Sequence, residues 1–243
     1  MTTSYTEEQY QYNYPDGIED FYWTKARNKI ILHEIKKHEY LLNSSILDVG
    51  CGRGIVTKFL HNKGIKCFGI ELAPALPIKG AEDLIITGKD AFSMNTEFKN
   101  SFQTILLLDV IEHIEDPVQF IKELLKEYTT IKHIIITVPA RKEIWSEYDV
   151  FFGHYRRYDL KMTASLMEEI GFEIIQNAYA FHILYPPAYL GALHLLKRPV
   201  KVKIPNARMK TVHNIMAESL LTEYTLMPKK SVGTSIVCVA SRV

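Results

Sequence analysis

The clearest chemical signal in this chain is a run of glycines followed by acids at regular distances. Gly50-Cys51-Gly52-Arg53-Gly54 comes after the apolar run Ile46 to Val49, which contains Asp48, and before a stretch with Ile55, Phe59 and Leu60 on one helical face. Glycines at alternate positions predict a tight turn from strand to helix, because glycine reaches positive φ and lets a ligand approach the backbone. The start of the helix would add free N–H groups aimed at that ligand. Glu71 lies 21 residues beyond Gly50, at the end of the run Lys66-Cys67-Phe68-Gly69-Ile70. In a strand-helix-strand unit that distance sets a carboxylate where it can accept both hydroxyls of a ribose, with Leu72 against the base. Asp90 and Asp109 follow two further apolar runs, Leu84 to Thr87 and Thr104 to Leu108.

A second group of residues has the chemistry of proton transfer and anion pairing. His113 stands next to Glu112 and near Asp109, and His154 opens the segment His154-Tyr155-Arg156-Arg157-Tyr158. Imidazole exchanges protons near neutral pH, and guanidinium groups pair with carboxylates or phosphates. His113, His154 and Tyr158 are therefore candidate catalytic residues. Trp145, Tyr155, Arg156 and Arg157 are candidates to bind an acceptor.

These residues need a scaffold that brings strand ends together. The apolar runs, closed by His133 to Val138, alternate with helical patterns and predict a doubly wound parallel sheet, whose ligands bind at the carboxyl ends of the strands. Phe21 to His38 reads as a helix with Glu19-Asp20 as its cap and with Trp23, Ile30, Ile31 and Ile35 near helical spacing. Arg27 falls one turn after Trp23, so this helix is expected to cap the pocket through both. Asp116-Pro117 predicts another helix start, and Asp159 caps a helix that ends at Gly171. Phe172 begins a sixth strand and Gly233 to Ser241 forms the last. Tyr5, Tyr10, Tyr12 and Tyr14 are too many aromatics for a free tail, which predicts a segment that closes over something.

The glycine spacing is G-x-G-x-G, with Ile55 where a dinucleotide fingerprint wants glycine, and this disfavours an NAD-type oxidoreductase. Asp48-Val49-Gly50-Cys51-Gly52-Arg53-Gly54 resembles motif I of the class I S-adenosylmethionine (SAM)-dependent methyltransferases. Gly153-His154-Tyr155-Arg156-Arg157-Tyr158 resembles the G-H-x-R-R-Y segment after strand five in a group of bacterial methyltransferases close to the quinone-biosynthesis type. The resemblance implies a Rossmann-like α/β sheet of seven strands, doubly wound, the last antiparallel, with a helical insertion between strands six and seven. It implies SAM as cofactor and S-adenosylhomocysteine (SAH) as product. The cofactor residues it implies are Asp48, Gly50, Cys51, Gly52, Glu71, Leu72, Asp90 facing the adenine amino group, Ala91, Asp109 and Val110, with Trp23 and Arg27 as the cap.

Asp109-x-x-Glu112-His113 is similar to the E-x-x-E-H set by which some related enzymes of quinones and RNA ends hold a divalent ion. The same D-x-x-E-H string occurs in metal-free members, and we assign no metal. The Asn/Asp-Pro-Pro-aromatic motif of base and amide N-methyltransferases is absent, which favours an oxygen acceptor on a small or lipid- or glycan-like molecule, with nitrogen or carbon as the lesser choice. The alternatives are a metal-assisted O-methyltransferase and a non-catalytic subunit of the same fold.

The whole chain sets the outer bounds. At 243 residues it suits one large domain: a cap segment over 1–40, a SAM-binding core over 41–184, an insertion over 185–230 and a final core strand over 231–243. Apolar residues make up 47% and the net charge is +1, so no overall field argues for nucleic acid. Cys51, Cys67 and Cys238 are too few and too scattered for a disulfide framework, and with no apolar leader near the start they suggest the cytoplasm. Ile174 to Leu196 carries no charge, yet Pro186-Pro187 breaks it, so it reads as a buried strand followed by an apolar helix. Lys197, Arg198, Lys201, Lys203, Arg208 and Lys210 follow without an intervening acid, so residues 183–210 are a candidate peripheral membrane contact. Oligomeric state has no signature in the sequence.

Overall fold

The fold follows from short apolar strands that must be covered on both faces. A computed structural model describes residues 6–193 and 202–242. Two helices precede the sheet, α1 (Glu7–Asn13) and α2 (Tyr22–Lys37), with the single turn α3 (Glu39–Leu42) after them. Then come β1 (Ile46–Val49), α4 (Ile55–His61), β2 (Cys67–Glu71), β3 (Ile85–Thr87), α5 (Thr96–Lys99), β4 (Thr104–Leu108), α6 (Pro117–Glu127) and β5 (His133–Pro139). The second half holds α7 (Glu147–Phe151), α8 (Leu160–Glu169), β6 (Phe172–Ala180), α9 (Tyr185–Ala192), α10 (Lys210–Leu226) and β7 (Ser235–Arg242).

The seven strands form one sheet in the order β3-β2-β1-β4-β5-β7-β6, with β7 antiparallel to both neighbours. This is the expected doubly wound sheet. Strand order reverses between β1 and β4, where Leu47 sits level with Phe68 on one side and Ile105 on the other. That is the crevice in which such sheets take ligands. All five residues of β4 are buried, as a strand covered on two faces requires. On one face Leu47, Ile105 and Ile136 pack with Ile121 and Leu124 of α6; on the other Ile46 and Leu106 pack with Ile31 of α2 and Leu220 of α10. Asp116 accepts the Gln119 amide at 2.9 Å with Pro117 behind it, which starts α6 as its sequence predicts.

Two expectations need correction, and a third segment, an apolar helix as expected, lies uncovered. Glu19 and Asp20 do not cap α2; Asp20 instead binds Lys25 at 2.9 Å and Lys210 at 2.6 Å, tying α10 to the start of α2. Strand β6 is not buried throughout, because it is the sheet edge and leaves Glu173, Ile174 and Ile175 exposed. The apolar helix α9 buries none of its residues. Apolar composition shows that a segment avoids charge, but whether anything covers it depends on the topology. Tyr5, Lys197, Arg198 and Lys201 lie outside the described residues.

Candidate active site

The carboxyl ends of β1, β2, β3 and β4 border a cavity of about 620 Å³. Gly50, Glu71, Leu72, Asp90, Ala91, Asp109, Val110 and His113 line it, so eight of the sequence candidates meet there. The approach at motif I is close: Gly50 has φ 76°, and a Cβ on it would come within 2.8 Å of Val110. Glu71 is fixed by two backbone donors, the Gly52 amide to Oε2 at 2.8 Å and the Ala73 amide to Oε1 at 2.9 Å. Burial raises its pKa, and those amides pull it back. Each oxygen keeps a lone pair for a ribose hydroxyl.

The loop departs from the expected anion cradle. The Gly50 and Cys51 amides donate to the Ile70 carbonyl, the Gly52 amide to Glu71, and the Gly54 amide to Cys51. These donors are consumed inside the protein, so the glycines supply close approach rather than amide hydrogen bonds. Such a loop suits a nucleoside without a diphosphate. Cys51 is buried, and burial pushes its thiol pKa well up, which makes it inert. Asp48 lies beneath the loop and accepts from Thr57 Oγ1 at 2.9 Å; burial raises its pKa to about 6 against that bond.

Arg27 and Trp23 do not line this cavity; they border a small adjoining one that shares Asp109 with it. Arg27 Nη1 donates to Asp109 Oδ2 at 2.5 Å, and its guanidinium lies 5.1 Å from the centre of the Trp23 ring. Burial would lower the pKa of Arg27, but Asp109 outweighs it and the net shift is upward. Asp109 is held at φ 57°, an uncommon backbone for a non-glycine residue and typical of functional sites.

Tyr10 and Tyr14 also line the cavity, and the sequence assigns them no site role beyond closure. Helix α1 lays them across the opening, their rings 4.8 Å apart, with the Tyr14 hydroxyl over Gly52. Arg53 fastens this flap: Nη1 donates to the Tyr14 carbonyl at 2.9 Å and to Asp16 at 2.8 Å, and Nε to the Leu76 carbonyl at 2.9 Å. Phe92 and Phe120 line the opposite wall.

The two histidines are neighbours, with ring centres 4.7 Å apart. Burial and the nearby His154 lower the pKa of His113 to about 4, so its ring is neutral at physiological pH. His154 does not line the cavity. Its Nδ1 meets Asp149 Oδ1 at 2.8 Å, and Arg157 Nε donates to the same oxygen at 2.8 Å. Burial would raise the pKa of Asp149, but these two partners hold it at about 2. Asp149 carries this cluster, and only its nearness to His154 in the chain points to it beforehand. The other candidates lie outside the cavity: Arg157 is buried against the Ala140 carbonyl, Tyr158 donates to the Ile111 carbonyl at 3.2 Å, Arg156 donates to the Glu115 carbonyl at 2.6 Å, and Tyr155 and Trp145 are exposed.

A model of the methyltransferase domain matches residues 7–177, well over half of the chain. The chain belongs to the class I SAM-dependent methyltransferases. This methyltransferase is 27% identical over 103 residues to the ubiquinone biosynthesis O-methyltransferase of Stutzerimonas stutzeri, covering 39% of this chain and 44% of the relative. It is 31% identical over 109 residues to a probable chloroplastic tocopherol O-methyltransferase of Oryza sativa, covering 41% and 30%. It thus spans less than half the length of these curated relatives. Among solved structures, the magnesium protoporphyrin IX methyltransferase of Synechocystis with bound SAH superposes with TM-score 0.54 at 11% identity, covering 100% of this chain and 90% of that one. Phosphoethanolamine N-methyltransferase 2 of Haemonchus contortus in complex with SAM gives TM-score 0.54 at 17% identity, covering 89% and 52%. SAM is the cofactor of this family, and the cavity suits it: a close-approach glycine loop, a fixed acid for a ribose and apolar walls for a base.

Proposed function

We propose that this methyltransferase transfers a methyl group from SAM to an oxygen of a small-molecule acceptor. One observation carries the reading: a neutral, half-buried imidazole, His113, borders the same cavity as the cofactor residues. A neutral imidazole can accept the hydrogen bond of an acceptor hydroxyl, whereas a cation there would repel a sulfonium. The hydrogen bond that His113 makes to the Phe152 backbone fixes one ring nitrogen as donor and leaves the other as acceptor. His154, oriented by Asp149, stands behind it with its ring centre 4.7 Å away. The O-methyltransferase relatives point the same way.

SAM would bring a methyl group already activated for displacement, so the protein's task is to hold the acceptor in line, an effect worth roughly 7–11 kcal/mol when orientation is good. In this reading Glu71 holds the ribose, and Leu72, Ala91 and Phe92 flank the base with Asp90 at its amino group. Arg27 pairs with the carboxylate of the amino-acid portion. Gly50 and Val110 set the floor, while Tyr10 and Tyr14 exclude water. The test is SAH release with a panel of phenols, hydroxy acids and amines. His113→Ala should lower kcat at least tenfold while leaving SAH affinity within about twofold. Turnover of amines alone, or an unaffected His113→Ala variant, would overturn the oxygen reading.

A second reading uses a divalent ion. Glu112, His113 and His154 offer ligand atoms within 4.8 Å of one another, and Glu112 Oε2 is buried with no hydrogen-bond partner among the described residues. This donor set fits a cation with three protein ligands, with Asp109 engaged by Arg27 instead. Such an ion would polarise an acceptor hydroxyl. Undiminished turnover in a strong chelator would remove this reading.

A further inference from the structure

The insertion between β6 and β7 exposes apolar surface that the methyl-transfer site does not use. Within it Ile183 is 62% exposed, Leu193 50%, and Tyr189 and Leu190 40% each. The first turns of α10 add Met209, Val212, Ile215 and Met216, all exposed. From Phe181 to Leu196 the chain carries no charged residue, and residues 197–210 then carry six bases and no acid. Of these bases, Lys203 and Arg208 are exposed among the described residues, while Lys210 is held by Asp20.

The position of this surface relative to the sheet is defined. Strand β7 is antiparallel to both β5 and β6, so β6 runs parallel to β5, and its end at Ala180 lies on the same edge as Pro139 and Asp109. Helix α9 starts there. Tyr185 donates to Glu143 at 3.0 Å, and the Arg141 guanidinium lies 5.6 Å from the Tyr185 ring, which anchors α9 beside the tip of β5. The uncovered helix therefore stands at the edge where the cofactor cavity opens.

We infer that α9, with the exposed bases after it, docks the protein onto an anionic lipid bilayer. An eight-residue helix is about 12 Å long and cannot cross a hydrocarbon core of ~30 Å, so it would lie in the interface. No helix among the described residues is long and apolar enough to span a membrane. Charge selects lipid over a second copy of the chain. A two-fold contact repeats the same patch on both sides and would set Lys203 and Arg208 against the same bases, while the acids beside the patch, Glu143 and Asp20, are already paired with Arg141 and Lys210. An anionic headgroup layer offers the opposite sign, at ~1 kcal/mol for each base near the surface. Docked this way, the sheet edge that bears the cofactor cavity faces the bilayer.

The test is sedimentation of the full chain with phosphatidylcholine vesicles and with vesicles containing about one third phosphatidylglycerol, at low and high salt. We expect binding to the anionic vesicles alone, reduced by high salt. Lys203→Gln combined with Arg208→Gln should lower the partition coefficient by about 30-fold, which corresponds to two charges at ~1 kcal/mol each. Leu190→Asp should abolish binding. Calorimetry with SAH on each variant confirms an intact fold and keeps this outcome separate from the methyl-transfer reading. Absence of binding to anionic vesicles at low salt would overturn the inference, as would a Leu190→Asp variant that binds like the parent. A dimer that Leu190→Asp dissociates, in a protein indifferent to vesicles, would assign the patch to a second copy and overturn it too.

Discussion

Glu71→Gln changes the site's chemistry with almost no change of shape. In the parent, both carboxylate oxygens accept backbone amides, at 2.8 and 2.9 Å, so the group is oriented before any ligand arrives. Glutamine retains one acceptor and turns the other into a donor, which must face a backbone N–H on one side and a ribose hydroxyl on the other. A hydrogen bond to a charged group contributes ~1.5–3 kcal/mol. The dissociation constant for SAH should therefore rise by roughly 10- to 150-fold.

Calorimetry measures this directly, and thermal unfolding offers an independent check. At a SAH concentration about 1,000 times the parent's Kd, the ligand stabilises the parent by ~4 kcal/mol; a variant binding 100-fold more weakly gains only ~1.4 kcal/mol at the same concentration. The free variant should also lose about 1–3 kcal/mol, because one part-buried amide now faces a donor. Equal SAH affinity in parent and variant, both folded, would refute the ribose role of Glu71.

Three further outcomes follow from the same geometry. The raised pKa of Asp48 means that its stabilising protonated form is complete below pH 3.8 and is lost as pH rises through about 6, so Asp48→Asn should gain about 3 kcal/mol on the parent between pH 4 and pH 8 in urea unfolding. The depressed pKa of Asp149 acts in the opposite sense: its contribution is present above about pH 4 and fades toward pH 2. Asp149→Asn, which strands the buried Arg157, should cost about 3–5 kcal/mol at pH 7, and about 2 kcal/mol of that cost should be gone at pH 2 by the same method. Arg53→Thr should release the flap, seen as faster proteolysis within residues 6–17 and a faster SAH off-rate in stopped flow, with the melting temperature nearly unchanged.

The sheet was legible because a strand buried on both faces must be apolar throughout, as β4 is, and because acids at the ends of such runs can only converge at one edge. Glu71 and Asp90 belong to this class. The Arg27–Asp109 pair was not legible, since 82 residues separate its members and their meeting depends on how α2 lies over the sheet. The role of Arg53 was hidden for a related reason: two of its three partners are backbone carbonyls, which leave no mark on residue type, and the third, Asp16, lies 37 residues away. The motif I amides were misjudged because the glycines indicate that the backbone is accessible but not where its N–H groups point.

The acceptor side shows why the histidine pair could be named but not placed. His113 and His154 are brought together by two loops that bind each other through backbone: the Tyr155 amide donates to the Glu112 carbonyl at 2.7 Å, and the Tyr158 amide to the Pro139 carbonyl at 2.9 Å. Tyr158 reinforces the join through its hydroxyl on Ile111, and Arg157 fixes Asp149, which in turn fixes His154. Most of the G-H-x-R-R-Y segment thus serves to brace the two loops, leaving His113 as the candidate catalytic side chain that borders the cavity. Because Asp109 and His113 lie in the same short loop after β4, bracing that loop from the acceptor side also fixes the acid that meets Arg27 on the cofactor side. The strained backbone at Asp109 is where the two halves of the site join.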